Sequence, residues 1–149
     1  MKKILIILLL FIVGCGYQPI YLNKNLKNFE FYKIETKGEK KINRQIINTI
    51  GFKENAIDDD LNNLSLNSYF IVEETAKNSK GQVQSYRSVI TIDLKINKKE
   101  KIIISKKFSE EFSYNNKENR FELIEYQNEI KENLLDKSIE EIILFLNIQ

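Results

Sequence analysis

The side chains that could carry out catalysis are few in this sequence of 149 residues. It contains no histidine, and Cys15 is its only cysteine. Serine–histidine and cysteine–histidine catalysis need an imidazole base, and the common zinc sites need histidine or several cysteines. The inventory therefore excludes these chemistries and leaves carboxylate, lysine or tyrosine chemistry for an enzyme. A lone cysteine also has no partner in the chain for a disulfide.

Two groups of carboxylates are candidates for this remaining chemistry. Asp58-Asp59-Asp60 could offer oxygen ligands to a divalent cation, but it lacks the alternate spacing and the turn glycine of a calcium loop. A solvated loop is the favoured interpretation. Glu110 and Glu111 are neighbours on a predicted strand, where adjacent side chains point to opposite faces, so they cannot flank one scissile bond. We therefore expect no metal site, no cofactor and no enzymatic activity.

Cys15 follows a segment that is typical of a secretory signal. Lys2 and Lys3 precede an unbroken apolar run over residues 4–13, and the small residue Gly14 stands directly before the cysteine. A membrane-spanning helix needs about 20 apolar residues, and this run is about half that length. The segment is therefore too short to remain as an anchor.

The order Ile12-Val13-Gly14-Cys15 resembles the lipobox of bacterial lipoproteins. The resemblance implies cleavage after Gly14, a diacylglycerol on the Cys15 thiol and acylation of the new amino terminus. Several acyl chains make attachment effectively permanent, because each buried methylene contributes about 0.8 kcal/mol. An uncleaved short anchor and a plain secretory signal are the alternatives. Gly16 follows the cysteine instead of the aspartate that commonly retains such lipoproteins in the inner membrane, which points to the outer membrane.

The charge of the chain does not favour a nucleic-acid partner. The sequence has 23 basic and 21 acidic residues, and Lys2 and Lys3 belong to the signal. The remaining chain therefore carries equal numbers of both signs, and the electrostatic basis for binding phosphate backbones is missing.

Three segments divide the chain: a signal over residues 1–14, a lipidated tether over 15–28 and one domain over 29–149. Apolar residues alternate in the predicted strands and recur at three- and four-residue steps in the predicted helices. In chain order the domain is predicted to contain a strand over 29–36, a helix over 39–50, a polar loop over 53–67, strands over 68–75, 83–96 and 101–114, and a helix over 120–147.

This order predicts an α+β fold, a two-layer sandwich in which both helices cover one face of a four-stranded sheet. The last three strands form an antiparallel meander, because their connections are short. One face of the sheet should be buried and the other wet. Lys106 and Glu110 interrupt the apolar face, and we expect them at its edge.

The start Cys15-Gly16-Tyr17-Gln18-Pro19-Ile20-Tyr21 resembles that of the lipopolysaccharide-assembly lipoproteins of alphaproteobacteria, the LptE family. The strands over 86–94 and 108–114 and the long final helix are also similar to that family in order and spacing. The alanine-rich final helix of the family is replaced here by a helix rich in asparagine, lysine, glutamate and isoleucine. The resemblance covers most of the chain after the signal in architecture, and only its start at residue level.

The resemblance implies an outer-membrane lipoprotein that occupies the lumen of a large β-barrel, the LptD-type lipopolysaccharide-assembly protein. There it would help the barrel assemble, plug it and assist transfer of lipopolysaccharide to the cell surface, facing the periplasm or the lumen. The alternative is an envelope lipoprotein that docks in another periplasmic or outer-membrane complex.

Two sets of side chains could serve such a role. A basic set could contact phosphates of lipopolysaccharide, with ordinary solvated charge as the alternative interpretation. Its members are Arg87, Lys95, Lys98, Lys99 and Lys107. An aromatic set near the tether could contact a barrel wall, although packing in the core or docking of the first strand is the favoured interpretation. Its members are Tyr17, Tyr21, Phe29 and Phe31.

Overall fold

The computed structural model describes residues 29–148. The predicted signal and lipidation site, with Gly14 and Cys15, and the tether with Tyr17 and Tyr21 lie outside the described residues. The elements follow one another in the predicted order of strand, helix, strands and helix. They are β1 (Glu30–Phe31), β2 (Lys33–Gly38), α1 (Lys40–Ile50), β3 (Lys53–Glu54), β4 (Asn63–Lys77), β5 (Val83–Lys98), β6 (Lys101–Asn115) and α2 (Arg120–Ile148).

Four strands form the main sheet, in the order β2-β4-β5-β6. The strands β4, β5 and β6 pair antiparallel along their length and form the predicted meander. The strand β2 lies parallel to β4, since α1 carries the chain from the end of β2 back to the start of β4. The short strands β1 and β3 pair in a separate two-stranded sheet.

The two helices cover the same face of the sheet. From α1, Ile42, Ile46 and Ile50 are buried at four-residue steps, and Gly51 ends the helix in the left-handed region at φ 80°. α2 has 29 residues and buries a stripe along its last two thirds. This stripe consists of Ile130, Leu134, Leu135, Ser138, Ile139, Ile142, Ile143 and Leu146.

The core lies between this helix layer and the even-numbered side chains of the sheet. In β5, Ile90, Ile92 and Leu94 are fully buried, and Leu64 and Leu66 of β4 lie beside them. The predicted α+β two-layer sandwich with a long final helix is confirmed. Among the helices described, none is long and apolar enough to cross a membrane.

Two predicted boundaries were wrong. The expected strand over 29–36 is divided at Tyr32, whose N–H donates to the carbonyl of Asn62 (2.8 Å), because the chain here changes its neighbour from β3 to β4. The expected loop over 53–67 contains β3 and the first five residues of β4. Those five residues alternate polar and apolar, and their leucines complete the core.

Candidate functional site on the open sheet face

The face of the sheet opposite the helices is uncovered in the described part of the chain, and we refer to it as the open face. Each of its residues is exposed or half-buried. It consists of the odd-numbered residues in four ranges: Lys33 to Lys37, Asn63 to Thr75, Ser85 to Asn97 and Ser105 to Asn115. Strand alternation explains this, because the even-numbered residues of the same strands point into the core. A surface of four strands, largely polar but with Tyr69 and Ile71 among its residues, is therefore available to a ligand or partner.

Polar side chains cross the open face in rows, because the strand register aligns them. One row joins Lys37, Asn67, Asp93 and Lys107. The next row joins Glu35, Ser65, Lys95 and Ser105. Lysine and carboxylate side chains alternate with amides and hydroxyls, so this end of the face offers hydrogen-bond donors, acceptors and positive charge together.

The structure brings together only part of the predicted basic set. Lys95 and Lys107 lie on the open face in adjacent rows, where diagonal neighbours are about 7 Å apart. Neither takes part in an ion pair within residues 29–148. Lys98 and Lys99 lie at the nearby hairpin, where Lys98 Nζ is 4.0 Å from Asp60 Oδ1 and Lys99 occupies the left-handed region at φ 54°.

Arg87 is separated from these lysines. It lies eight residues before Lys95 on the same strand, or about 26 Å at 3.3 Å per residue. Its Nε and Nη2 donate to Glu73 Oε2 at 3.2 and 3.1 Å, and Nη1 lies 3.8 Å from Glu111 Oε2. Two carboxylates already surround this guanidinium, so it is less available to a phosphate than the lysines at the other end.

Three asparagines on the open face have buried carbonyl oxygens that accept no hydrogen bond within the described residues: Asn63, Asn67 and Asn97. Asn63 and Asn97 are direct cross-strand neighbours, and Asn67 stands in the row of Lys37 and Lys107. Buried polar atoms without a partner are uncommon in folded proteins. These oxygens are shielded from solvent, so they do not add acceptors to the accessible surface of the open face.

Sequence reasoning missed Lys33, Lys37 and these asparagines as possible site residues. Lys33 and Lys37 belong to β2, and nothing local in the sequence indicates that β2 pairs with β4. The signal for Asn63 and Asn67 was present, because the stretch of residues 63–67 alternates polar and leucine side chains. That alternation is typical of a half-buried strand.

The neighbouring glutamates Glu110 and Glu111 lie on opposite faces of the sheet, in different surroundings. Glu111 lies on the open face beside Arg87, whereas Glu110 lies under α2 next to Glu141. Partial burial, and then the negative charge of Glu141, raise the pKa of Glu110 above its ordinary value, while Lys137 opposes the shift. Lys106 and Glu110 occupy the outer strand of the sheet, so the expectation that they lie at its edge is confirmed.

The aspartates at 58–60 lie in the loop before β4. The N–H of Asp60 donates to Asp58 Oδ1 at 3.1 Å, which forms a turn within the run. Among residues 29–148, no group of three or more carboxylate or thiol side chains is arranged to hold a metal ion.

Phe29 and Phe31 of the aromatic set pack within the domain. Their rings meet Phe52 edge to face, with centroids 5.8 and 5.4 Å apart, and Phe31 is buried. The interpretation of these two residues as core is therefore confirmed.

The described chain is thus a small α+β sandwich that leaves one face of its sheet open. Rare lipoprotein B from Shewanella oneidensis has a similar structure, with a TM-score of 0.56 at 12% identity over 78% of this chain and 96% of that chain. An uncharacterized lipoprotein B from Nitrosomonas europaea is also similar, with a TM-score of 0.59 at 9% identity over 87% of this chain and 88% of that chain. No family model and no curated protein matches the sequence. At such identities the likeness establishes the fold alone.

Proposed function

We propose that this protein is a non-enzymatic outer-membrane lipoprotein that assists assembly of the lipopolysaccharide-export barrel, plugs it and helps lipopolysaccharide reach the cell surface. The observation that carries the proposal is a single chain that combines a lipobox-like start at Cys15 with the fold of two proteins named lipoprotein B. Acyl chains on Cys15 fasten the domain to the membrane, where it faces the periplasm or the barrel lumen.

The open face supports the role of a plug. Large outer-membrane barrels have polar interiors, so a domain that fills one must present mixed polar groups to the wall. The rows through Lys37 and Glu35 place both charge signs, amides and hydroxyls on one flat surface. The chain after the signal is electrically balanced, which avoids a large net charge inside the barrel.

The lysine end of the open face is the place where we propose that lipopolysaccharide makes contact. Lys95 and Lys107 are able to bind its phosphates through charge-assisted hydrogen bonds. Lys37 adds a third positive charge in the row of Lys107.

Replacing Lys95 and Lys107 together with alanine tests this contact. We expect binding of purified lipopolysaccharide to the full-length protein in detergent to weaken about tenfold, because two charge-assisted contacts are lost. The control replaces Lys53 and Lys80, which are exposed elsewhere, and removes the same charge. Equal weakening by both double variants would mean that only net charge matters and that the open face is not the site.

Co-purification tests the partner. The full chain, tagged at its C-terminus and extracted in mild detergent, is expected to bring down the export barrel of its own bacterium in a stable complex. Recovery only with soluble or inner-membrane proteins would contradict the proposal and favour the alternative, a docking module of another envelope complex.

A further inference from the structure

The outer side of β4 is only half occupied by β2. Pairing of the two strands ends where Gly38 lies opposite Ser68, whereas β4 continues to Lys77. The register of β4 against β5 remains regular up to Glu74 and becomes irregular beyond it. A regular strand edge from Tyr69 to Glu74 is therefore left without a neighbour in the described part of the chain.

Backbone groups along this edge point outwards at alternate residues. The carbonyl of Ser68 accepts a hydrogen bond from Glu39 N–H (2.9 Å) on the outer side of β4. Since successive residues of a strand direct their N–H and C=O groups to opposite sides, Phe70, Val72 and Glu74 present theirs to the same outer side. These are the groups with which a further strand would pair.

The side chains at this edge are unusually apolar for a free strand. The sequence Tyr69-Phe70-Ile71-Val72 places large apolar residues on both faces, and Tyr69, Ile71 and Val72 are 50%, 49% and 40% exposed. The charges that follow are satisfied within the chain, because Glu73 pairs with Arg87 and Glu74 with Lys77. From Tyr69 to Val72 the edge is therefore uncharged and incompletely buried.

On the helix side, we infer a groove beside the same half of β4, because α1 is much shorter than α2 and does not extend over it. The start of α1 is marked by the pair of Glu39 with Lys131 (3.8 Å), and Lys131 Nζ lies 5.0 Å from the ring centre of Phe70. Ile124 precedes Lys131 by seven residues, so it lies two turns away on the same side of α2. Without α1 beside it, Ile124 remains 48% exposed, and Phe121 one turn further on remains 67% exposed.

The opposite edge of the sheet is protected against strand pairing. Along β6, Lys106 and Glu110 point towards the helix side of the sheet, and Lys107 and Glu111 lie on the open face. Charged side chains, and inward-pointing ones in particular, are a device by which proteins block pairing at free edges. The edge from Tyr69 to Val72 lacks this device and is therefore open to pairing with a further strand.

We propose that the Tyr69–Val72 edge of β4, together with the groove lined by Val72, Ile124 and Phe121, is a strand-addition site for an extended, uncharged segment of the barrel protein. This inference rests on the proposed function for the identity of the partner. Outward backbone groups specify an extended polypeptide, and the apolar groove specifies alternating apolar side chains on it. Because wall strands of a closed barrel are already paired, the segment comes from a loop or a terminal extension.

Two other occupants fit less well. The chain before Phe29 enters at the far end of β2, where Phe29 packs on Phe52. A second copy joined at this edge would double the width of the sheet that a barrel lumen must enclose. Both occupants are outcomes of the test below.

Two substitutions in the full-length lipidated protein test the site, with co-purified barrel protein as the readout. Val72→Pro removes one outward N–H without removing a bond to β5, and Ile124→Lys places a charge in the groove. The controls are Asp59→Pro, which introduces a proline into the exposed loop before β4, and Leu144→Lys, since Leu144 is 44% exposed elsewhere on α2. We expect each test variant to reduce barrel recovery about tenfold and each control less than twofold. Ile124→Lys lies at an exposed position and keeps the test decisive if Val72→Pro does not fold.

A photoreactive side chain at position 72 then identifies the occupant in cells. A crosslink to an extended segment of the barrel protein supports the proposal, and a crosslink to a second copy or to residues 16–28 of the same chain overturns it. If the barrel protein co-purifies with the wild type, and in equal amounts with the test and control variants, only the proposed strand-addition site is wrong. If the wild type recovers no barrel, the proposed function is wrong and this inference is lost with it.

Discussion

Gly38 is the residue on which the corner between β2 and α1 depends. It lies in the left-handed region at φ 78°, where residues with a side chain are strained. A Cβ at this position would collide with the carbonyl oxygen of Ser68 and lie 3.0 Å from the carbonyl carbon. Both the backbone conformation and the space therefore require glycine.

Replacing Gly38 with alanine is expected to lower the free energy of unfolding by about 3 kcal/mol, because strain and steric overlap add. Gly81→Ala is the matched control, since Gly81 has the same φ of 78° but no atom within 4 Å of the added Cβ. The control should lose only about 1 kcal/mol. Denaturant unfolding of the two purified variants measures the difference, and equal losses would contradict the steric argument.

Glu110 gives the domain a pH dependence whose direction follows from its surroundings. Partial burial and Glu141 raise the pKa of Glu110 in the folded state, so the folded chain holds this proton more tightly than the unfolded chain. Such a group contributes stability that is fully present below its unfolded pKa of about 4.3 and is lost as the pH rises through the raised value. The domain is therefore expected to be penalised at neutral pH by this carboxylate.

Glu110→Gln removes that penalty. Its melting temperature should exceed that of the wild type at pH 7 and converge with it near pH 4, as measured by thermal unfolding. Lys137→Met should act in the opposite direction at pH 7, since Lys137 favours the charged carboxylate. A pH-independent difference for Glu110→Gln would show that packing, and not ionisation, is responsible.

At the scale of the elements, α2 supplies much of the core, and its buried stripe is wide. In its second half the helix is covered both by the sheet and by α1, so residues on a wide arc are buried. In its first half the sheet alone covers it, and Ile124 is left exposed. Length mismatch between the two helices thus determines which part of α2 stabilises the fold and which part is free to bind.

Leu135→Ala and Leu144→Ala separate these contributions within one helix. Leu135 is 1% exposed, and its truncation should cost about 2–5 kcal/mol of unfolding free energy because a cavity remains. Leu144 is far more exposed, and the same change should cost less than about 0.5 kcal/mol. Chemical denaturation measures both. Similar losses at the two positions would mean that α2 is buried differently from the arrangement described here.

On the scale of the whole molecule, the proposed anchor and the domain have separate physical roles. The acyl chains on Cys15 would hold the protein at the membrane, so the domain needs no apolar membrane surface of its own. The domain itself presents a polar sheet face on one side and two helices on the other. Its binding surfaces are then presented to partners within reach of the membrane.

Cys15→Ser tests the anchor in the full-length chain. The variant should incorporate no labelled palmitate, and it should keep residues 1–14, because processing of such signals requires the lipidated cysteine. Labelling of growing cells and mass spectrometry of the purified protein measure the two outcomes. Gly16→Ala is the control and should be labelled and cleaved like the wild type. Palmitate on the serine variant would place the acyl chains elsewhere.

Local pattern was sufficient to predict α1, α2, β5 and β6 and the fold class. Apolar residues recur about every 3.6 residues in the helices and every two residues in the strands, which indicates the buried side of each element. A few consecutive residues are enough to detect either pattern. The wet side of the sheet followed from the same alternation. The edge position of Lys106 and Glu110 was also predictable, since charges on an apolar face are tolerated only where water reaches them.

Only the tertiary structure decided which strands are neighbours. The parallel pairing of β2 with β4 depends on the combined burial of side chains from α1 and both strands, which are distant in sequence. That pairing places Lys37 in one row with Lys107 and leaves the Tyr69–Val72 edge open. The periodicity of apolar residues within one strand does not determine its register against a strand distant in sequence. That register depends on the free energy of the whole packed core.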